Sequence, residues 1–533
     1  MWTTDGEASA PRTVGVIDIG SNSVRMAIAQ VLRTGELEVL ERTQRPMAMG
    51  HDTFLKGRLG QQAMNTAIGI LRDYGKLLDT YGVETVRAVA TSAVREASNA
   101  EAFVDRVAMA VGLDLDVLDP TEESRLTVSA VREAVEDVLD VSRDSALIAD
   151  VGGGSTLLTV VESGVITASE SYAIGSIRLQ EHMATTREAP ERTVELLRYR
   201  IANVVDLVQR SLPVGEAGTL LAVGEDARFA AEHAGEPVPE AERVATVDRA
   251  AFDELVDACA RRSAEQLASR YGLPFPNAVR LVPALLIYQA VLQATGLDRM
   301  VFCNVSMRDG LLLDLARRVT GEEDTGLAES VVRSAKTIGE KYRVDPRHAE
   351  HVANLAVELL DELQGLHGLG SRHRLLMRVA GTLHEVGKFI SNRAHHKHCY
   401  YVIANSEIFG LSRREIGIVA HVARYHRRSA PKKTHLEYMT LPREDRMVVN
   451  KLASLLRVAD ALDRGHQQQI RDLSFERRGN ELILYVGGVV DLTLERRAMA
   501  EKADMFEETF GLRVRVEEAQ APMGDARRAR PVE

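Results

Sequence analysis

The strongest constraint on the fold of this chain is a short pattern that occurs twice. Residues 14–31 (VGVIDIGSNSVRMAIAQV) read as a buried apolar strand, a Gly/Ser/Asn turn and a second apolar strand returning. Residues 146–161 (ALIADVGGGSTLLTVV) repeat that order. Asp18, Gly20 and Ser23 spell D-x-G-x-x-S, and Asp150, Gly152 and Ser155 spell it again. A third strand is predicted after each copy, at Glu36 to Thr43 and in a run ending at Ser171. Motif and flanking strands recur together, which argues for an internal duplication and two α/β lobes facing one another across a cleft.

Helices predicted at Gln61 to Leu78, Ala97 to Val111 and Thr121 to Val138, with a strand at Thr85 to Ala90, complete an α/β alternation in the first copy. Near Thr320 (VTGEEDTGLAES) the alternation gives way to long helical runs. Residues 325 to about 465 read as all-helical, and Asp472 to Val486 and Leu512 to Glu518 suggest a small terminal α+β unit. The expected parts are a first lobe over 12–135, a second over 136–320, a helical domain over 321–465, an α+β unit over 466–520 and a disordered tail over 521–533.

Composition narrows the function. Among 533 residues the net charge is −11, yet Ser371 to His435 holds 13 Lys and Arg against three acids, with eight His besides. An acidic protein with one basic stretch argues against general nucleic-acid coating and for a localised polyanion site, the alternative being a solvated basic face. Cys259, Cys303 and Cys399 form no C-x-x-C pair, so neither a disulfide framework nor a thiolate zinc site is expected. No run approaches the roughly 20 uninterrupted apolar residues of a membrane span, and the start MWTTDGEASAPRT lacks a signal pattern. The expectation is a cytoplasmic protein with neither membrane nor nucleic-acid partner; oligomeric state is not legible, and a homodimer stays open.

The glycine turns carry chemistry of their own. A turn of Gly and small polar residues exposes backbone N–H groups as a nest for phosphate, here Gly20, Ser21, Asn22 and Ser23 in one copy and Gly152, Gly153, Gly154 and Ser155 in the other. Two facing nests would grip adjacent phosphates. Asp18 and Asp150, near the ends of buried strands, would orient a hydrated Mg²⁺ through its waters.

Several stretches in order along the chain resemble the exopolyphosphatase and guanosine pentaphosphate phosphohydrolase (Ppx/GppA) family: VGVIDIGSNSVRM at 14–26, TSAVREASN at 91–99, EESRL at 122–126, DVGGGST at 150–156, AIGSIRL at 173–179, MRDGLLLDLA at 307–316, and the run from Leu383 to Arg428. The resemblance implies a duplicated two-lobed actin-like (ASKHA, RNase H-like) fold with an added HD-like helical domain, and Mg²⁺-dependent hydrolysis of phosphoanhydrides. It places the family's general base on Glu123, the second acid of EESR, and phosphate contacts on Arg95 and Gly175. Read without the resemblance, Glu122 and Glu123 are equally an acidic helix start after Asp119 and Pro120. The leading activity is exopolyphosphatase, with Arg393, His395, His396, Lys397, His398, Arg427 and Arg428 as a track for inorganic polyphosphate. The alternatives are hydrolysis of guanosine pentaphosphate, a (p)ppGpp-type substrate, and a sensor of polyphosphate or alarmone that binds but barely turns over.

The sequence also departs from the family. A turn usually rich in Gly, Ser and Thr reads AVGEDARFA, with Gly224 remaining and Glu225 and Asp226 placing two negative charges where an anion would approach. The stretch before the base reads LDPTEESR, and NVSMRDG lacks residues usually found ahead of Arg308. These changes disfavour a nucleotide most. HD phosphohydrolases hold metal on His, His-Asp and a later Asp; His348, His384 and Asp460 correspond, but the pair is His384-Glu385 here. The extra methylene displaces the carboxylate, so no second metal centre is expected.

Overall fold

A computed structural model describes residues 12–32, 34–136, 138–139, 145–183, 190–239, 241–320, 325–427, 430–487 and 491–519. The chain forms two compact units, one to residue 327 and the other from residue 328.

The first unit is built on two sheets with one plan. Strands β1 (Arg12–Ile19), β2 (Ser23–Val31), β3 (Leu37–Pro46), β4 (Thr85–Ala90) and β5 (Leu115–Val117) lie in the order β3-β2-β1-β4-β5. β1 to β3 form an antiparallel meander, while β4 and β5 continue parallel to β1. The second sheet repeats this with β6 (Ser145–Val151), β7 (Thr156–Glu162), β8 (Val165–Tyr172), β9 (Thr219–Val223) and β12 (Arg299–Cys303), in the order β8-β7-β6-β9-β12. It is extended by the antiparallel strands β11 (Val244–Asp248) and β10 (Gly235–Pro237). The sequence duplication is thus a duplication of structure, the two-lobed actin-like fold. β1 and β6 are central in their sheets, covered on both faces, and read as nearly continuous Val, Ile, Leu and Ala.

One element departs from the expected boundaries. The helix Met307–Thr320, assigned above to the second lobe, packs through Leu311, Leu312, Leu315 and Ala316 on Val14, Val16 and Leu126 of the first. Gly310 allows that approach, since a Cβ there would collide with the backbone of Leu126. The helix Phe275–Thr295 is long and apolar enough by composition to cross a membrane, but Leu281, Leu285, Tyr288 and Leu292 bury it in the second lobe's core.

The second unit is helical through Leu462, after which β13 (Leu473–Arg478), β14 (Glu481–Val486) and β15 (Arg513–Glu518) form a small sheet. This sheet is not a separate body. Arg457, fully buried in the helix Arg443–Leu462, donates from Nε to the Lys502 carbonyl at 2.8 Å and pairs with Asp504 at 2.6 Å. The expected tail beyond residue 520 lies outside the described residues.

Candidate active site

The two glycine turns meet. Ser21 Oγ lies 3.3 Å from Ser92 Oγ. A Cβ on Gly153 would sit 3.2 Å from Ser21 Cβ, and one on Gly154 would sit 2.5 Å from Ser92 Oγ and run into the Phe54 ring. Each turn is anchored through its carbonyls. Ser21 O accepts from Gly50 N and Asn22 O from Met47 N, both at 2.8 Å. Gly152 O accepts from Ser176 N at 3.0 Å, Gly153 O from Ile177 N at 2.9 Å, and Gly154 O from Arg178 Nε at 2.6 Å. In a trans peptide the next N–H points opposite its carbonyl, so the amides of Asn22, Ser23, Gly153, Gly154 and Ser155 turn away from these anchors as a set of donors suited to an anion. Gly175 lets its segment close on the second turn, because a side chain there would strike Gly153 O.

The carboxylates hold equivalent places. Asp18 is the last residue but one of β1, and Asp150 the last but one of β6. Asp18 is buried, with Oδ1 lacking any hydrogen-bond partner. Burial raises its pKa, while Arg25 and Arg308 pull it down and Glu225 pushes it up. Burial also raises Asp150, against Arg25 and with help from Asp18, to about 6.

The acidic pair splits by role. Asp119 caps the helix Pro120–Val135, accepting from Glu122 N at 2.9 Å. Glu122 turns into a structural network, accepting from Arg125 Nε at 2.7 Å and Arg87 Nη2 at 3.0 Å. Asp314 closes that network on Arg87 at 2.9 Å and Arg125 at 3.1 Å. Burial would raise the pKa of Glu122, but the two arginines outweigh it and hold the carboxyl low. Glu123 faces the other way, beside Asp18 and Asp150, with its carboxylate on Arg95 Nη1. Its side chain is 18% exposed. Burial, opposed by Arg95 and aided by Asp150 and Asp18, lifts its pKa to about 7. Arg95, expected to meet phosphate, is thus paired with the acid and with Leu118 O at 2.6 Å.

The acidic turn at Gly224 differs from the reading above. Glu225 pairs with Arg25 at 2.7 Å and with Arg280, and those cations, against burial, hold its pKa at about 2. Its charge is therefore balanced internally. Asp226 is buried, which raises its pKa to about 6. Gly224, at φ +116°, passes so near Asp150 that a Cβ would stand 3.8 Å from Oδ1. Arg25, Arg280 and Arg308 were not singled out from sequence as site residues; the available signal was a lone arginine, Arg280, within the apolar run 275–295. Asp18, with an orphaned buried oxygen, and Asp150 offer oxygen donors of the kind a hard divalent cation takes when waters complete its shell.

The proposed track fares unevenly. Arg393 and Lys397 are exposed, His396, His398 and Arg427 are partly exposed, and Arg428 lies outside the described residues. His395 is a correction: it is 2% exposed and faces inward, Nε2 at 3.4 Å from His426 Nε2, because the helix His395–Ala404 buries it with Cys399. His348, His384 and Asp460, from which no second metal centre was expected, are brought together, all three buried.

Comparison with known proteins agrees with this architecture. A relative from Mycobacterium leprae, "Exopolyphosphatase 1", is 28% identical over 332 residues, covering 61% of this chain and 94% of that protein. A "Guanosine-5'-triphosphate,3'-diphosphate pyrophosphatase" from Photobacterium profundum is 23% identical over 458 residues, covering 83% and 84%. The crystal structure of an exopolyphosphatase from Cytophaga hutchinsonii matches the fold with a TM-score of 0.52 at 22% identity, over 58% of this chain and 99% of that one. Residues 27–319 match the Ppx/GppA phosphatase family and residues 332–498 match its domain III. The chain therefore belongs to the Ppx/GppA phosphatase family and is a hydrolase of phosphoanhydride bonds.

Proposed function

We propose that the chain is an Mg²⁺-dependent exopolyphosphatase, releasing phosphate from the end of inorganic polyphosphate, with Glu123 as general base. The observation that carries this reading is Glu123 itself: largely buried, beside two further carboxyls, with a pKa near 7. A base poised near the working pH combines a useful ionised fraction with useful basicity. Glu123 Oε takes the proton of a water aimed at the terminal phosphorus, and Arg95 fixes the direction of that carboxylate. The amides of the two turns hold the phosphate oxygens as charge grows on them. Asp18 and Asp150 would hold magnesium through its waters, and the bound ion would supply neutralisation of phosphate charge. Exposed Arg393 and Lys397 of the helical unit would add cations for long polyanions.

Guanosine pentaphosphate is the second reading, favoured by the pyrophosphatase relative that matches 83% of the chain where the exopolyphosphatase relative matches 61%. Against it stands the turn at Gly224, where Glu225 occupies two arginines that would otherwise meet an anion. Pairing with Arg25 and Arg280 also compensates Glu225 at that turn, which weakens the reading of a sensor that binds without hydrolysis. The deciding experiment offers long polyphosphate and guanosine pentaphosphate in parallel with Mg²⁺ and follows phosphate release. Faster turnover of the nucleotide would overturn the substrate assignment, and release from neither would overturn the activity.

A further inference from the structure

One phenol closes the gap that the second sheet leaves beside Asp150. The parallel ladder between β6 and β9 ends with Asp150 opposite Val223. β9 stops there, and the chain turns at Gly224 into the helix Glu225–Ala234. β6 runs on to Val151, which pairs with Thr156 of β7 on its other side but lies beyond the ladder with β9. Strands that splay in a buried place leave a backbone donor and a backbone acceptor to be satisfied by some other group. Tyr288, fully buried on the helix Phe275–Thr295, satisfies both. Its hydroxyl accepts from Val151 N at 3.3 Å and donates to Val223 O. The side chain is therefore a rung inserted between the two strands, one residue beyond Asp150.

The same oxygen shapes the turn. A Cβ on Gly224 would stand 3.2 Å from the Tyr288 hydroxyl and 3.8 Å from Asp150 Oδ1, so phenol, glycine and carboxylate pack as one cluster. Burial, with the Asp150 carboxyl beside it, raises the pKa of the phenol and keeps it an O–H donor. The residue after Gly224, Glu225, is held by Arg25 and Arg280, and Arg280 stands on the same helix as Tyr288. That helix thus grips the Gly224 turn from both sides, at Val223 and at Glu225. On the β6 side, Val151 lies between Asp150 and Gly152, where the second glycine turn begins. Phenylalanine would fill the same space, so packing alone does not call for a hydroxyl at this position.

We propose that Tyr288 is a positioning residue for hydrolysis: through Val151 N and Val223 O it fixes the spacing of Asp150, the second glycine turn and the Gly224 turn. The inference rests on the reading of Asp150 as a carboxylate that orients a divalent cation. The test is Tyr288→Phe in the full chain, which keeps the ring and leaves Val151 N and Val223 O unpaired. Tm should fall whatever the role, so the deciding measurements are made well below the melting temperatures of parent and variant. Mn²⁺ is the probe, titrated without substrate and followed by the electron paramagnetic resonance of the free ion, and the ion counted is the one lost in Asp150→Asn. Its dissociation constant should rise about 10-fold in Tyr288→Phe, as on loss of an outer-shell partner. Phosphate release is followed on whichever of polyphosphate and guanosine pentaphosphate is turned over. There kcat should fall about 10-fold with KM raised less, because alignment of these groups matters most as charge develops on the phosphate. Replacing the hydroxyl of Tyr288 by an amino group, as 4-aminophenylalanine, restores a donor to Val223 O and should recover part of both losses. Parent values of Mn²⁺ affinity and kcat in folded Tyr288→Phe, with Tm alone lowered, would overturn the positioning role and leave the reading of Asp150 standing. Parent-like Mn²⁺ binding in Asp150→Asn would overturn that reading and this inference together. Should Tyr288→Phe fail to fold, the amino variant decides: weakened Mn²⁺ affinity and kcat support the role, and parent values of both overturn it.

Discussion

At the scale of single residues, Glu122 and Glu123 show how adjacent identical side chains divide. The helix they start turns one toward Arg87 and Arg125 and the other toward Asp18 and Asp150, so the first is held ionised and the second is pushed toward neutrality. Glu123→Gln keeps size while removing the proton acceptor, and phosphate release should fall about 10² to 10⁴-fold with substrate binding retained. Release at the parent rate would exclude Glu123 as the base. The pH dependence has a definite sign. The acid is active only when ionised, so kcat/KM should fall as pH drops through about 7. Stability runs the other way: the folded state holds this proton more tightly than the unfolded chain does, so the contribution is full below about 4.5 and is lost as pH rises toward 7. Glu123→Gln should therefore lose less stability than the parent between these values, measured as Tm against pH. Because Asp18 and Asp150 raise the pKa of Glu123, added Mg²⁺ should move the acid limb to lower pH, and the limb belongs to the group rather than to one residue. The candidate base was legible through the resemblance. Its partner Arg95 was assigned to phosphate because sequence gives no orientation to a guanidinium, and Arg25 meets Glu225 across 200 residues of chain while Arg308 reaches Asp18 from the far end of the first unit.

At the scale of elements, the two turns carry both the fold's symmetry and its tightest packing. Gly154 lies against Phe54 and Ser92, so Gly154→Ala must push the lobes' turns apart or distort one of them. A cost of about 1 to 3 kcal/mol from overpacking is expected, with KM raised because the two sets of amides lose their spacing. Gly69→Ala provides the contrast. Gly69 lies within the exposed face of the helix Gln61–Thr80 with nothing within 4 Å of its would-be Cβ, so alanine should stabilise by up to about 1 kcal/mol. Equal effects of the two substitutions on Tm and KM would remove the case for close apposition. The strand-turn-strand units were readable because they are local and apolar. The helix Met307–Thr320 was misplaced because its apolar face suits either lobe, and only the approach of Gly310 to Leu126 decides which one. Strands as short as Gly235–Pro237 carry too little pattern to be seen in sequence.

At the scale of the molecule, charge counted along a sequence differs from charge offered to a ligand. In the basic stretch, Arg372 pairs with Glu415, Arg374 with Asp361, Arg414 with Asp445, Arg424 with Glu437 and Lys388 with Glu385. Three of these acids stand outside the stretch, which is why its linear excess overstated its exposed charge. Histidines were legible as a cluster but not as inward-facing, since a helix buries one face and the sequence does not say where it docks. What remains outward includes Arg393 and Lys397, with Arg427 partly exposed. Binding of long polyphosphate to them should displace counterions, as on nucleic-acid backbones, so affinity should fall steeply with salt. Neutralising all three by Gln should flatten the slope of log affinity against log salt by roughly 0.7 to 0.9 for each phosphate charge no longer neutralised, and raise KM for long chains. A short substrate, held by the turns and carboxylates of the first unit, should change little in either respect. If long and short chains lose affinity alike, or neither does, the exposed cations are a solvated face and the polyanion reading of the helical unit fails.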